Sequence, residues 1–232
     1  MPLTRDEMTA LFQIGVRAAD PRAAVRDSLL AQPLPPCKRV FLLAFGKAAC
    51  AMAEAALPLV PNPAAALVVT NPENAMAVQG AEVIAAGHPV PDAQSLRAGH
   101  AAEALLAQAG PDDRVLVLVS GGGSALLVAP VAGLTLADKA QVSQILLGAG
   151  LDIVAMNAVR QHLSRLKGGG VLRAAAPAPV TALILSDVIG DDLRAIASGP
   201  TVAPIPARED LVADLQNPGC WERFQTPFPE AV

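Results

Sequence analysis

One stretch constrains this chain more than any other: Val115 to Val128, VLVLVSGGGSALLV. Five β-favouring apolar residues run straight into Ser120-Gly121-Gly122-Gly123-Ser124, and a second apolar run follows. An unbroken apolar strand is buried on both faces, the pattern of a parallel sheet covered by helices on each side. The glycines permit a turn that side chains forbid and let backbone N–H groups come close to a ligand. If the second run opens a helix, its free N–H groups and positive dipole end face the same point, which suits an anion such as phosphate. A tight strand-to-helix turn without a ligand fits the same residues.

Composition narrows the function classes. At 232 residues the chain can bury a sizeable core, as one large domain or two small ones. It is 53% hydrophobic and only 16% charged, and its apolar content is largely Ala, Val and Leu, which suits helices packed on a parallel sheet. A net charge of −4 argues against a general nucleic-acid binder. Cys37, Cys50 and Cys220 are too scattered for a disulfide framework, and His88, His100 and His162 show no metal-ligand spacing with them. No charge falls between Arg114 and Asp138, yet the triple glycine, Pro130 and Gly133 interrupt that run, so it reads as strand, turn and helix and not as a membrane span. The N-terminus, with Arg5, Asp6 and Glu7 before a short amphipathic pattern, does not read as a signal peptide. A reduced, cytoplasmic setting is the default expectation.

Taken in order, residues 4–31 read as a helix capped by Thr4 and ended by Pro33 to Pro36. Strand VFLLA meets Phe45-Gly46-Lys47 and an Ala-rich helix to Leu57, which places Lys47 where open α/β sheets bind ligands. Strand AALVVT follows. Ala81 to Ala86 forms another strand, leading into Gly87-His88-Pro89-Val90-Pro91-Asp92, where a structural role for His88 is favoured. Asp92 caps a helix to about Ala109. A helix from about Leu136 to Leu147 breaks at Gly148 and Gly150. Asp152 then caps a second helix that ends near Lys167. On it, Asn157, Arg160, Ser164 and Lys167 form a polar stripe placed to line a cleft, or simply a solvated face. Gly168-Gly169-Gly170 supplies a C-cap and a mobile turn. Strand VTALIL delivers Ser186-Asp187, with Asp191 and Asp192 close behind and Ser198-Gly199-Pro200-Thr201 further on. A carboxylate there suits Mg²⁺ near a phosphate loop, while Asp191 or Asp192 also suits helix capping. From about Pro204 the chain becomes Pro-punctuated and loses periodicity.

LLAFGKAA, AGHPVPD, VSGGGSALL with NAVRQHLSRLKGG, and LSDVIGDDLRAIASGPT stand together in one order over roughly residues 5 to 206. This combination closely resembles the ATP-dependent glycerate 2-kinase family, whose members are sometimes labelled hydroxypyruvate reductase. The resemblance implies a Rossmann-like α/β domain, a mostly parallel sheet with helices on both faces, that works with a second α/β domain across a glycerate cleft. By the match at FGKA, Lys47 would stabilise charge on the transferred phosphoryl group, as such transfer depends on positioning and electrostatic support. Ser120, Gly121, Gly122, Gly123 and Ser124 would cradle the phosphates of ATP. Asp187 and Asp191 would serve Mg²⁺, or orient the attacking hydroxyl. Asn157, Arg160 and Lys167 would line the cleft, and Ser198, Gly199 and Thr201 would close its floor.

The sequence departs from the family by ending about where the second domain, which contributes a catalytic arginine, should begin. Residues 1–206 are expected to form the N-terminal domain and 207–232 an irregular tail, in which Arg208 and Arg223 have no matching context. The chain therefore reads as a nucleotide-binding half: a fragment, the product of a split or shifted reading frame, or one subunit completed by a second copy of itself or by a separate chain, and kinase activity is not expected to follow from this polypeptide alone. Its small-molecule partner would be D-glycerate, with no nucleic acid and no membrane. Two alternatives compete with the kinase. A reductase is disfavoured because the early strand–turn gives FGKAAC and not GxGxxG, and no acid follows the next strand to hold a ribose. A non-catalytic nucleotide-binding half is favoured by the missing arginine.

Overall fold

The computed structural model describes residues 3–148 and 153–205. The helix expected over 4–31 is two helices, α1 (Arg5–Ala18) and α2 (Pro21–Ala31). Pro21 explains the break: it has no N–H to continue a preceding helix but suits a first turn, where Asp20 caps it through the Arg22 N–H. Thr4 caps α1 in a capping box with Glu7, as the sequence predicts, yet α1 buries none of its side chains.

After α2 come β1 (Val40–Phe45), α3 (Ala49–Ala56), β2 (Pro63–Thr70) and β3 (Glu82–Ala85). Then follow α4 (Ala93–Leu106), β4 (Arg114–Val119), the single turn α5 (Gly123–Leu126) and α6 (Leu136–Gly148). The described chain ends with α7 (Ile153–His162), α8 (Gly170–Ala175) and β5 (Val180–Ile184). The strands lie in the order β3-β2-β1-β4-β5, every pairing parallel. All six residues of β1 are buried because alternate side chains face opposite cores. Phe41, Leu43 and Phe45 pack with Val115, Val117 and Val119 against α4 and α8. Val40, Leu42 and Ala44 pack with Leu116 and Leu118 against α2 and α3. Each fully buried large side chain contributes about 1.5–3 kcal/mol, so these two strands anchor the domain. Arg39 and Asp113 tie their starts together through two hydrogen bonds of 3.0 and 2.7 Å. The α/β class and the layering of helices on both faces are as the sequence reads.

The apolar run after the glycines opens a helix, as the sequence reads, but α5 lasts one turn, because Leu127, Val128 and Ala129 leave it to lie against α4, where the Val128 N–H donates to the Ser95 carbonyl. Two local expectations fail for physical reasons. The helix expected to reach Lys167 stops at His162, since Ser164 is drawn into a bridge with Pro130 and the Arg165 N–H donates to the Ala129 carbonyl. Ser164 and Lys167 thus lie beyond α7, and the helical stripe is limited to Asn157 and Arg160. The triple glycine does not cap α7, which ends at His162. It is buried, its Gly168 and Gly169 N–H groups donate to Ser198 and Gly199, and it opens α8, which the sequence reading missed. Asp152, Gly150 and the tail with Arg208 and Arg223 lie outside the described residues.

Candidate functional site

The chain winds outward from β1 to β2 and β3, then returns to place β4 on the other side of β1 and β5 beyond it. The order reverses between β1 and β4, so the loops leaving their carboxyl ends stand at the switch point, where open α/β sheets commonly hold ligands. Those loops are Gly46-Lys47-Ala48 and Ser120 to Ser124. They are clasped together. The Lys47 N–H donates to the Gly121 carbonyl at 2.9 Å and the Ser120 N–H to Phe45 at 3.1 Å. The Ala48 N–H donates to Ser120 Oγ at 3.0 Å. Gly46, at φ +124°, makes this possible: a β-carbon there would lie 2.2 Å from Ser120 Oγ and 2.5 Å from the Ser120 carbonyl oxygen.

Around this clasp the structure gathers the chemistry-bearing side chains of four strand ends. Gly122 has φ +86°, and a β-carbon on it would sit 3.3 Å from Lys47 Cε and 3.1 Å from His88 Nε2. Lys47 and His88 therefore flank the same glycine. A β-carbon on Gly121 would sit 2.1 Å from Asp187 Oδ2, so the Asp187 carboxylate lies over the neighbouring peptide. Lys47 and Asp187 are both exposed, accessible to a ligand. Gly123 is packed on Phe45 and Ala197, which makes it a packing position in this loop. Asp191 is exposed at φ +51°, and Asp192 is occupied in capping the following turn through the Arg194 N–H.

Behind the glycine loop runs a buried polar network. Ser124 Oγ and Ser198 Oγ are 2.9 Å apart, and Ser198 Oγ donates to Asn157 Oδ1 at 3.3 Å. Lys167, 5% exposed, donates from Nζ to the Ser124 carbonyl at 3.0 Å and to Ser198 Oγ at 3.5 Å. Burial, and then the charges of Lys139 and Arg160, hold this ammonium well below the ordinary lysine range. Burial also lowers the Arg160 guanidinium. Lys139 is pushed down to about 8 by burial and by Arg160 and Arg165. Gly199 accepts the Gly169 N–H at 2.8 Å, which fixes the turn that carries Ser198, and half-buried Thr201 follows it.

The predicted residues thus fall into two connected groups. Lys47, Gly121, Gly122 and Asp187 stand at the switch point, while Ser124, Asn157, Lys167 and Ser198 form the network beneath, and the continuous loop from Ser120 to Ser124 belongs to both. Arg160 belongs to the lower group through its charge; Asp191 joins neither group through any described contact. Sequence reasoning set His88 aside and missed Lys139. The strap between Pro89 and Pro91 at the end of a strand was the available signal for His88; Lys139, one charge on an ordinary helix, offered none.

A family model described as a domain of unknown function, DUF4147, matches residues 7–231. The chain belongs to this family. An Agrobacterium vitis protein, provisionally named hydroxypyruvate reductase, is 43% identical over 216 residues, covering 93% of this chain and 49% of that protein. The Pyrococcus horikoshii protein named glycerate 2-kinase is 36% identical over 226 residues, covering 94% of this chain and 50% of the relative. A crystal structure of glycerate kinase from Thermotoga maritima superposes with a TM-score of 0.82 at 34% identity, over 94% of this chain and 51% of that one. The chain spans about half the length of the curated relatives it matches. The resemblance to glycerate kinases and the α/β fold it implies are borne out.

Proposed function

We propose that this chain carries the nucleotide-holding half of a glycerate 2-kinase, which moves a phosphoryl group from ATP to the 2-hydroxyl of D-glycerate. One observation supports the reading above the others: the clasped Lys47 and glycine loops stand at the switch point, with an exposed ammonium and an exposed carboxylate converging on Gly121 and Gly122. In this reading Lys47 neutralises charge on the phosphoryl group in transit, and backbone N–H groups of the loop fix its oxygens. His88, across Gly122 from Lys47, orients the acceptor hydroxyl.

The donor set fits Mg²⁺ carried by a nucleotide, because that ion keeps several waters and needs only one or two carboxylates beside the phosphates. Asp187 would be that ligand; Asp191 is the second candidate. Among the described residues no cluster of three His, Cys, Asp or Glu side chains forms a cage for a resident metal. When bound, Mg²⁺ bridges and partly neutralises the phosphates. In this reading the other wall of the cleft belongs to the part of the relatives' length that this chain does not span, carried by a longer form of this chain or by a separate chain.

The test is ADP release from Mg-ATP plus D-glycerate by the 232-residue chain and its Lys47→Ala variant. Release that requires D-glycerate and is lost in the variant supports a self-sufficient kinase. Mg-ATP binding without turnover supports the second reading, a nucleotide-binding half that needs the remaining domain. Neither binding nor turnover by the folded chain overturns both.

A further inference from the structure

The described chain ends at an anchored residue beside a cavity. Ile205 is buried, and its N–H donates to Gln161 Oε1 at 2.8 Å. Gln161 is itself fixed, donating from Nε2 to the Arg194 and Ser198 carbonyls at 3.2 and 3.1 Å. A β-carbon on Gly168 would lie 3.1 Å from Pro204 Cβ, so this glycine lets the outgoing chain pass close to the start of α8. The cavity, of about 400 Å³, lies among Val131, His162, Ser164, Arg165, Arg173 and Pro204. Two arginines and a histidine thus line it, and no acid among the described residues does. Arg165 is engaged by Glu103. Arg173 has no ion pair among the described residues, and its Nη1 is held over the glycine turn by the Gly168 carbonyl at 2.9 Å. Ser164 Oγ is buried with no hydrogen-bond partner among the described residues, which is costly unless another segment supplies one.

The sequence that follows Ile205 has the complementary character. PAREDLVADLQ, residues 206–216, sets Glu209, Asp210 and Asp214 against the single charge of Arg208. Leu211, Val212 and Leu215 fall at helical spacing among these acids, and Asn217-Pro218-Gly219 stops the pattern, inside the stretch read above as an irregular tail. So short a helix is marginal alone and forms only against a surface. Glu209 is four residues past Ile205, a reach of at most about 14 Å, and Pro204 beside the anchor already lines the cavity.

We infer that residues 209–215 dock in this cavity of their own chain, with their acids toward Arg173 and His162 and their apolar side over Val131. Charge and reach select this occupant: the basic wall with its unpaired arginine meets an acidic run tethered at its rim. The family match continues across the segment, through residue 231. The inference is independent of the nucleotide reading, because the cavity contains none of Lys47, Gly121, Gly122 and Asp187.

Hydrogen exchange of the full 232-residue chain, followed by mass spectrometry, tests it. Amides 210–216 are expected to exchange at least about tenfold more slowly than an unstructured chain. Arg173→Glu should speed them about tenfold, and combining it with Glu209→Lys and Asp210→Lys should restore the slow rate. Arg173→Gln, which removes the charge without reversing it, should speed them about threefold and serves if the glutamate form folds poorly. Unstructured-chain rates in the parent overturn the docking. Protection that neither Arg173 variant changes also overturns it, by placing the segment elsewhere. So does a fast rate that the charge swap fails to restore. Protection that grows with protein concentration gives the cavity to a second copy and overturns docking within one chain.

Discussion

Replacing Gly46 by alanine tests the claim that the two switch-point loops are built as one clasp. At φ +124° an L side chain costs about 1–3 kcal/mol in backbone strain. The added β-carbon would also lie 2.5 and 2.7 Å from the carbonyl oxygen and carbon of Ser120, which cannot swing away as a side chain can. The loops must part, loosening the Lys47–Gly121, Ala48–Ser120 and Ser120–Phe45 hydrogen bonds, each worth about 1 kcal/mol net. Because the losses overlap, the total is about 3–5 kcal/mol, a fall in Tm of roughly 10 °C for a chain of this size. Gly80→Ala is the control. Its φ of +82° is similarly unfavourable, but nothing lies within 4 Å of the new carbon, so it should cost only about 1–2 kcal/mol. The assay is thermal unfolding by circular dichroism, followed by Mg-ATP titration of both folded variants. Gly46→Ala should melt well below Gly80→Ala and lose nucleotide binding. Equal melting of the two variants would refute the clasp.

Other outcomes follow from the same geometry. Gly121→Ala should displace the exposed Asp187 carboxylate at little cost to stability, so it and Asp187→Asn should each reduce the Mg²⁺-dependent part of ATP affinity while Tm moves by less than about 3 °C. Ser198→Ala removes a hydroxyl that serves Ser124, Asn157 and Lys167 and should cost about 1–3 kcal/mol by denaturant titration. Ser198→Gly should be less damaging, because φ is +63° there. Lys139 supplies a pH test. Its folded value of about 8 lies below the 10.5 of a free lysine, so between them the unfolded chain binds more protons and stability should rise with pH. Lys139→Gln should flatten that rise in a series of unfolding curves.

The architecture was legible because parallel strands announce themselves: VFLLAF and VLVLV are apolar on both faces, and only a sheet covered on each side can bury them. Lys47 and the glycine loop were legible for the same reason, since a strand's end fixes where its next residues fall. Helix extent was read less well. Pro21 divides one periodic stretch into two helices, and α7 ends where Ser164 finds Pro130, a contact between residues distant in sequence. Lys167 shows the consequence. It was placed in the cleft as part of a helical stripe, yet reaches the network from a turn held by Ser198 and Gly199. Lys139 was illegible because a single titratable residue gains meaning only from what the fold sets beside it, here two other cations; for His88 the flanking prolines gave a signal, but its place beside Gly122 comes from the fold.

The central claim is that the switch point between β1 and β4 holds a nucleotide triphosphate through Lys47 and the glycine loop. Titration of the chain with Mg-ATP, repeated in the presence of NADH and with Lys47→Ala, tests it most directly. The account predicts Mg-ATP binding that is indifferent to NADH and at least about tenfold weaker in the variant, the loss of one charge-assisted contact. Displacement of Mg-ATP by NADH, or a folded chain that binds no Mg-ATP, would contradict it.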